Sequence, residues 1–435
     1  MGPVSSADAR AEIVVLRGRV VTPAAVVEDG VVVADGPTLV WVGAAQDVPA
    51  EWAAAVLASP PQPGGTVLPG LVDLHDHGGG GASFPDATDR RTVLRAVSEH
   101  LRHGTTSLVA SLVTAPREAL LTRAALLAEL ADAGEIAGIH AEGPFLSAHR
   151  CGAQNPADML AGDPGLVDEL VAAARGHLVT MTIAPEVPGV VRPGQPDGSA
   201  GDGAPGEATS SRDVLAALVD GGVLPSFGHT DASAEQVDAG IARALGLLHR
   251  SPAARSPRPT ATHLFNGMRP LHHRDPGPIA SCLAAAARGE LVVELVADGT
   301  HLADGTVRAV FDLVGPDAVV LVTDAMAATG MADGDYRLGP MDVRVADGVA
   351  RIVAADGTAG AIAGGTAHLL DVVRHTAAAG VPLVDAVRSA ATTPAQVLGR
   401  TDIGALVVGR RADVVVTDAD LACVAVYRAG RLVTV

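Results

Sequence analysis

Between residues 66 and 323 short apolar runs alternate with longer helical stretches, and this alternation constrains the fold more than any other feature of the chain. Runs of strand length begin near 66, 105, 136, 179, 223, 259, 291 and 318. The stretches between them read as helices. One spans 89–103, opening on Asp89 as a capping residue and stopping at Gly104, and another spans 116–133. Strands separated by helices pair in parallel, and eight such units fit a closed (β/α)8 barrel. A doubly wound open sheet is the weaker alternative.

The two ends are written differently. Residues 12–43, "EIVVLRGRVVTPAAVVEDGVVVADGPTLVWVG", are Val-rich strands separated by Asp-Gly turns, and residues 404–435 repeat that grammar. Together they predict a small β-sandwich domain assembled from both termini, residues 1–66 and 400–435, around a barrel over 67–399. The Gly/Pro/Ser-rich segments 189–211 and 251–260 read as mobile loops.

Composition removes several classes of function. Acidic residues outnumber basic ones 49 to 31, for a formal charge of −18. That excludes nucleic acid, whose binding rests on phosphate neutralisation, but not a small anion held in a locally basic cleft. No apolar run reaches the roughly 18 uninterrupted residues of a membrane span, and the N-terminus lacks a signal-peptide layout, so a soluble cytoplasmic protein is expected. Cys151, Cys282 and Cys423 have no metal-site spacing; Cys151 reads as an inert free thiol. The sequence contains no lysine at all. Schiff-base, P-loop and carbamylated bridging lysines are therefore excluded.

Barrel enzymes carry their chemistry at the C-terminal ends of the strands. The first strand ends in "LVDLHDHGGGG", where His75 and His77, two residues apart, point to the same face. The four glycines after them suggest a bare loop that lets substrate approach the backbone. "EIAGIHAEGPFL" ends in Glu142, "VLPSFGHT" in His229, "TATHLFNGM" supplies His263, and "AVVLVTDAMAATG" ends in Asp324. Each alone is as well read as a capping carboxylate or a satisfied core histidine. Six metal-competent or acid/base residues at equivalent places on five strands point instead to a divalent-metal hydrolase.

The stretches "PGLVDLHDHGGGG", "GIHAEGPFL", "FGHTDA", "ATHLFNGMRPLHHRDPG", "ADGTHL", "LVTDAMAATG", "IAGGT" and the closing "GRRADVVV" follow one another in a familiar order. In them the chain resembles the amidohydrolase superfamily, and within it the N-acetylglucosamine-6-phosphate deacetylases, almost end to end. The resemblance implies metal-dependent hydrolysis of the acetamide of N-acetylglucosamine 6-phosphate. It gives Glu142 the bridging place that a carbamylated lysine fills in many relatives. His229 and His263 would complete the principal site, with His75 and His77 available for a second ion. One or two divalent ions per subunit are implied, zinc first, with iron, manganese or cobalt as alternatives. Asp324 would serve as general base and then general acid. His301 would orient the carbonyl or a sugar hydroxyl. Further substrate contacts would come from Ala153, Asn266, Gly267, Ile362, Ala363 and Gly364. Arg274 in "LHHRDPG" is the expected phosphate partner, because guanidinium binds phosphate in a bidentate fashion and lysine is absent. In the resembled family the matching arginine comes from the neighbouring subunit, implying a homodimer. The bland reading of Arg274 is a surface ion pair with Asp275.

One departure stands out: Gln154, in a loop expected to face substrate, occupies a place where relatives often carry histidine. Rival readings remain. They are an amidohydrolase acting on N-acetylgalactosamine 6-phosphate, a cyclic amide or an acyl amino acid, and a two-histidine, one-carboxylate iron oxygenase built from Glu142, His229 and His263.

Overall fold

A computed structural model describes residues 13–59, 64–192, 212–354 and 356–434. Most of the Gly/Pro/Ser-rich segment 189–211 lies outside the described residues.

Eight parallel strands form one sheet in sequential order: Leu71–Asp76, Thr105–Leu112, Gly138–Glu142, Leu178–Ile183, Leu224–Phe227, Thr260–Ala261, Val292–Leu295 and Val319–Leu321. The first and last are joined where the Asp324 N–H donates to His75 O at 2.9 Å and the His77 N–H to Ala325 O at 2.7 Å. The sheet is thus a closed barrel and not the open alternative. Every residue of every barrel strand is buried, as parallel strands covered on both faces must be. Seven helices connect the strands in turn, from Arg90–Arg102 to Asp304–Val314, and Leu369–Ala378 follows the eighth strand. The first of them is capped as its sequence predicts, Asp89 accepting from the Thr92 N–H at 3.0 Å.

The strand expected to begin near 66 is in fact two. Thr66–Pro69 belongs to the sheet of the termini, and Leu71–Asp76 opens the barrel. Gly70 makes the break: a Cβ there would lie 2.2 Å from Thr106 Oγ1 and 2.7 Å from Asp413 Cβ. The terminal sheet has seven strands, three drawn from residues 414–432 and four from residues 13–69. Val20, Val32, Leu39, Val67 and Val414 from both ends of the chain share one apolar cluster.

Two features differ from the sequence reading. The segment 251–260 is fastened: Arg255 donates to the carbonyls of Gly222 and Gly176 at 3.1 and 2.6 Å, and Ser256 is buried. A four-stranded antiparallel sheet, Gly334–Leu338, Met341–Ala346, Val349–Val353 and Ala359–Gly364, is inserted after the eighth barrel strand. It packs its apolar face on Val113, Met326 and Ala327 and so hangs over the C-terminal mouth of the barrel. No helix among the described residues is long and apolar enough to cross a membrane.

Candidate metal centre and active site

The strand ends bring the expected residues together at the floor of a cavity of about 210 Å³. Glu142 Oε1 lies 2.9 Å from His229 Nε2 and 2.8 Å from His263 Nε2. Its other oxygen, Oε2, is 3.1 Å from His77 Nε2 and 3.8 Å from His75 Nε2. Asp324 Oδ1 stands 3.5 Å from His75 Nε2 and 3.4 Å from His77 Nε2. Two groups capable of holding an ion thus share Glu142: His75 with His77, and His229 with His263.

Outer contacts fix which nitrogen faces inward in three of the four rings. The Nδ1–H groups of His75, His77 and His229 donate respectively to Glu294 Oε2 (3.3 Å), Ser111 O (3.2 Å) and Arg150 O (2.7 Å). Each Nε2 is left free to aim at the centre, the usual support of a metal-binding histidine. His229 is also wedged in place. A Cβ on Gly267 would lie 2.7 Å from its Nδ1, and one on Gly152 3.0 Å from its Cε1. Both glycines have positive φ, at 59° and 56°. His229, His263 and Asp324 themselves have left-handed backbone, with φ of 45°, 28° and 48°, the kind of strain that collects at functional sites.

The electrostatics favour a cation. Burial opposes protonation of His75, yet the Asp324 and Glu142 carboxylates hold it well above the usual imidazole range. His77 and His229 are likewise raised against burial, by the same carboxylates. Burial also opposes ionisation of Glu142, but the charges and hydrogen bonds of the surrounding imidazoles hold it well below the carboxylate range. Asp324 is lowered in the same way, against burial, by His75 and His77. Imidazole and carboxylate donors converging in a field that stabilises positive charge suit a divalent ion, which satisfies that field while Nε2 stays unprotonated.

The substrate residues divide. Ala153, Asn266, Gly267, His301, Ile362 and Ala363 line the cavity, and so does Gln154. Gly364 does not line it, though it adjoins Ala363 in the inserted sheet. Arg274 does not line it either. It is exposed, with Nη1 2.9 Å from His273 Nε2. Nor does it pair with Asp275, which pairs with Arg269 at 3.0 Å.

The glycine run after His77 also departs from expectation. Gly78 to Gly81 turn away from the cavity and pack on the protein itself. Gly80 and Gly81 N–H groups donate to Thr329 and Ala327 carbonyls at 2.8 Å, and a Cβ on Gly79 would lie 2.6 Å from His100 Nε2. The glycines permit close backbone packing under the loop that follows Asp324, not substrate access.

Residues 66–197 and 284–433 match the amidohydrolase family. The chain is similar to the N-acetylglucosamine-6-phosphate deacetylase of Bacillus subtilis, with 32% identity over 81% of either chain. It is also similar to that of Lysinibacillus sphaericus, with 30% identity over 84% of this chain and 85% of the relative. The chain belongs to the amidohydrolase family, among the N-acetylglucosamine-6-phosphate deacetylases. Among solved structures, the deacetylase from Mycobacterium smegmatis is 39% identical, covering 97% of this chain and all of that one, with a TM-score of 0.80. A mutant of that enzyme in complex with N-acetyl-D-glucosamine-6-phosphate aligns equally well, with 38% identity over 98% of this chain. Amidohydrolases depend on metal ions, and the two groups sharing Glu142 could hold them.

Sequence reasoning missed several residues of this amidohydrolase site. Asp298 Oδ2 accepts from His301 Nδ1 at 2.8 Å, raising that imidazole against the effect of burial. Glu294 supports His75, and Leu338 and Ala361 of the inserted sheet line the cavity. A charged residue inside the apolar run "LVVELV" was the available signal for Glu294. A third His/Glu group, Glu99, His103 and His368, lies elsewhere. There Arg102 and His368 each hold one Glu99 oxygen at 3.0 Å, so the group ties helices together.

Proposed function

We propose that the protein hydrolyses the acetamide of N-acetylglucosamine 6-phosphate to glucosamine 6-phosphate and acetate, using zinc as its divalent ion. The observation that carries this is the position of Asp324. Its carboxyl is held, against burial, below the ordinary carboxylate range by His75 and His77, is only 14% exposed, and faces the cavity within 3.5 Å of two imidazoles that also face Glu142. When bound, a divalent ion lowers the pKa of its water towards about 7 and polarises an amide carbonyl.

Glu142, His229 and His263 would hold the principal ion, and His75 with His77 a second. Asp324 takes the proton of the attacking water and passes it to the departing amine as the C–N bond breaks. His301, whose imidazole Asp298 holds above its ordinary value against burial, donates a hydrogen bond to the carbonyl or to a sugar hydroxyl when protonated. Asn266 and the Gly267 backbone meet the polar end of the sugar, and Ala153, Ile362 and Ala363 shape the apolar wall beside the acetyl methyl, with Gly364 next to Ala363 behind it.

No arginine is among the described residues lining the cavity. The 6-phosphate would therefore be met by Arg274 of a second subunit, in a homodimer whose exposed 271–276 loop reaches the neighbouring site. Phosphorylated sugars do not cross membranes unaided, which supports a cytoplasmic reaction.

The test is acetate release from N-acetylglucosamine and N-acetylgalactosamine, each with and without 6-phosphate, before and after chelation. Turnover confined to the phosphorylated glucosamine derivative and abolished by chelation is expected. Equal turnover of the unphosphorylated sugars, or none lost on chelation, would overturn the proposal.

A further inference from the structure

Gln154, expected to face the sugar, spends both ends of its amide on the protein. Its Nε2 donates to Glu142 Oε2 at 2.6 Å and its Oε1 accepts from the Thr114 N–H at 2.8 Å. The orientation is unambiguous, since a backbone N–H can only donate and an ionised carboxylate can only accept. Thr114 closes the arrangement, its hydroxyl donating to Glu142 O at 3.0 Å. Gln154 is 3% exposed, so water does not compete for these bonds.

The two oxygens of Glu142 are consequently unlike. Among the described residues, Oε1 meets only His229 and His263, at 2.9 and 2.8 Å. Oε2, on the His75/His77 side, already accepts a short amide hydrogen bond. Such a bond to a charged acceptor is strong. It fixes the plane of the carboxylate, and it draws electron density from Oε2, making that oxygen the poorer ligand.

We propose that Gln154 is a positioning residue that makes the two ion sites unequal. It holds Glu142 so that Oε1 completes a tight site with His229 and His263, and it weakens Oε2 as a ligand for an ion at His75 and His77. This rests on the metal-dependent reading of the site given above. Outer contacts of this kind typically alter ion affinity by about 10- to 100-fold.

The test is calorimetric titration of the metal-free protein with zinc chloride, with bound zinc counted by elemental analysis. The parent should bind one tight and one weaker equivalent, His229→Asn removing the tight one and His77→Asn the weaker. Gln154→Glu keeps an acceptor for Thr114 and, titrated with zinc at a pH where the new carboxyl is ionised, cannot donate to Glu142 and adds charge beside Oε2. It should tighten the weaker equivalent at least ~10-fold. Gln154→Met should loosen the tight equivalent and narrow the gap by a similar factor, with KM for the sugar phosphate changing less than zinc affinity. Gln154→Met leaves the Thr114 N–H unpaired and could fold poorly, so Gln154→Glu decides the matter. A gap unchanged within about twofold in Gln154→Glu, or a raised KM with both zinc affinities intact, would overturn the inference and make Gln154 a substrate contact. A parent protein that binds no zinc would instead overturn the metal reading itself.

Discussion

The backbone N–H of Asp324 donates to the carbonyl of His75 across 2.9 Å, at the seam where the first barrel strand meets the eighth. The proposed proton carrier and a proposed ion ligand are therefore fixed to each other through backbone, not through flexible side chains. Asp73 reinforces the seam from below, accepting from the Thr323 hydroxyl at 2.6 Å and from the His75 N–H at 3.2 Å. Closing the barrel and assembling the site are one structural event.

Asp324→Asn keeps the shape of the side chain and tolerates left-handed backbone, but it cannot take a proton. We predict a fall in kcat of at least ~10²-fold with KM and zinc content near parent values. Because the folded carboxyl is held below the ordinary range, the parent's rate should fall away only as pH drops below about 4, and that limb should vanish in the variant. Near-parent turnover in Asp324→Asn would remove Asp324 from the mechanism.

Glu142→Gln removes the carboxylate shared by both ion groups, and no lysine exists to replace it. Zinc binding and activity should be lost together. Zinc at ~1,000 times its dissociation constant should stabilise the parent by about 4 kcal/mol, seen as a rise in melting temperature absent from the variant. An equal rise in both would count against Glu142 as a ligand.

Arg274→Ala should raise KM for the phosphorylated sugar at least ~10-fold, the scale of a lost charge-assisted contact remote from the scissile bond. Turnover of the unphosphorylated sugar should hardly change. If Arg274 acts across a dimer, mixing Arg274→Ala with Asp324→Asn subunits should restore part of the activity. No restoration, with equal losses on both sugars, would make Arg274 structural.

His301 is raised above its ordinary value because Asp298, and more weakly Asp324, outweigh burial. The sign follows: the protonated form is complete below pH ~6.5 and is lost as pH rises through the higher folded value. A basic limb in kcat/KM should therefore lie above pH 6.5 in the parent. In Asp298→Asn it should move downward, read from a pH–rate profile. An unmoved limb would remove His301 from the reaction.

Gly267→Ala tests the seating of His229. The new methyl would meet Nδ1 at 2.7 Å on backbone with φ of 59°, costing about 1–3 kcal/mol in strain alone. Weaker zinc binding with an intact circular-dichroism spectrum is expected. Unchanged zinc affinity would show that the imidazole is not held by this contact.

The barrel was legible because its strands are short apolar runs bounded by capped helices, and the ion ligands were legible because parallel strands deliver their chemistry at one end. What escaped the sequence has local physical reasons. In "TVLPGLVDLHD" apolar residues run up to Pro69-Gly70 and resume directly after it, and that lone turn signal does not show that the two halves join different sheets. The inserted sheet carried the same Asp-Gly turns as the termini, at Asp347-Gly348 and Asp356-Gly357, yet lay beyond the eighth strand where the barrel count stopped. Gln154 was placed at the site, but its partner, a carboxylate twelve residues back, is set by the fold of the intervening loop.

His229, His263 and Asp324 share one uncommon trait, a left-handed backbone that costs glycine nothing and that L-residues adopt with reluctance, asparagine, aspartate and histidine less so than the rest. A laboratory selection that rewarded heat resistance alone would feel that reluctance at all three positions and nothing in favour of the native side chains. Its winners should accumulate glycine or asparagine there, gaining stability while losing the reaction. Keeping three such residues takes continuous selection for chemistry, so the same three codons should be the first to drift in a lineage that no longer needs the enzyme.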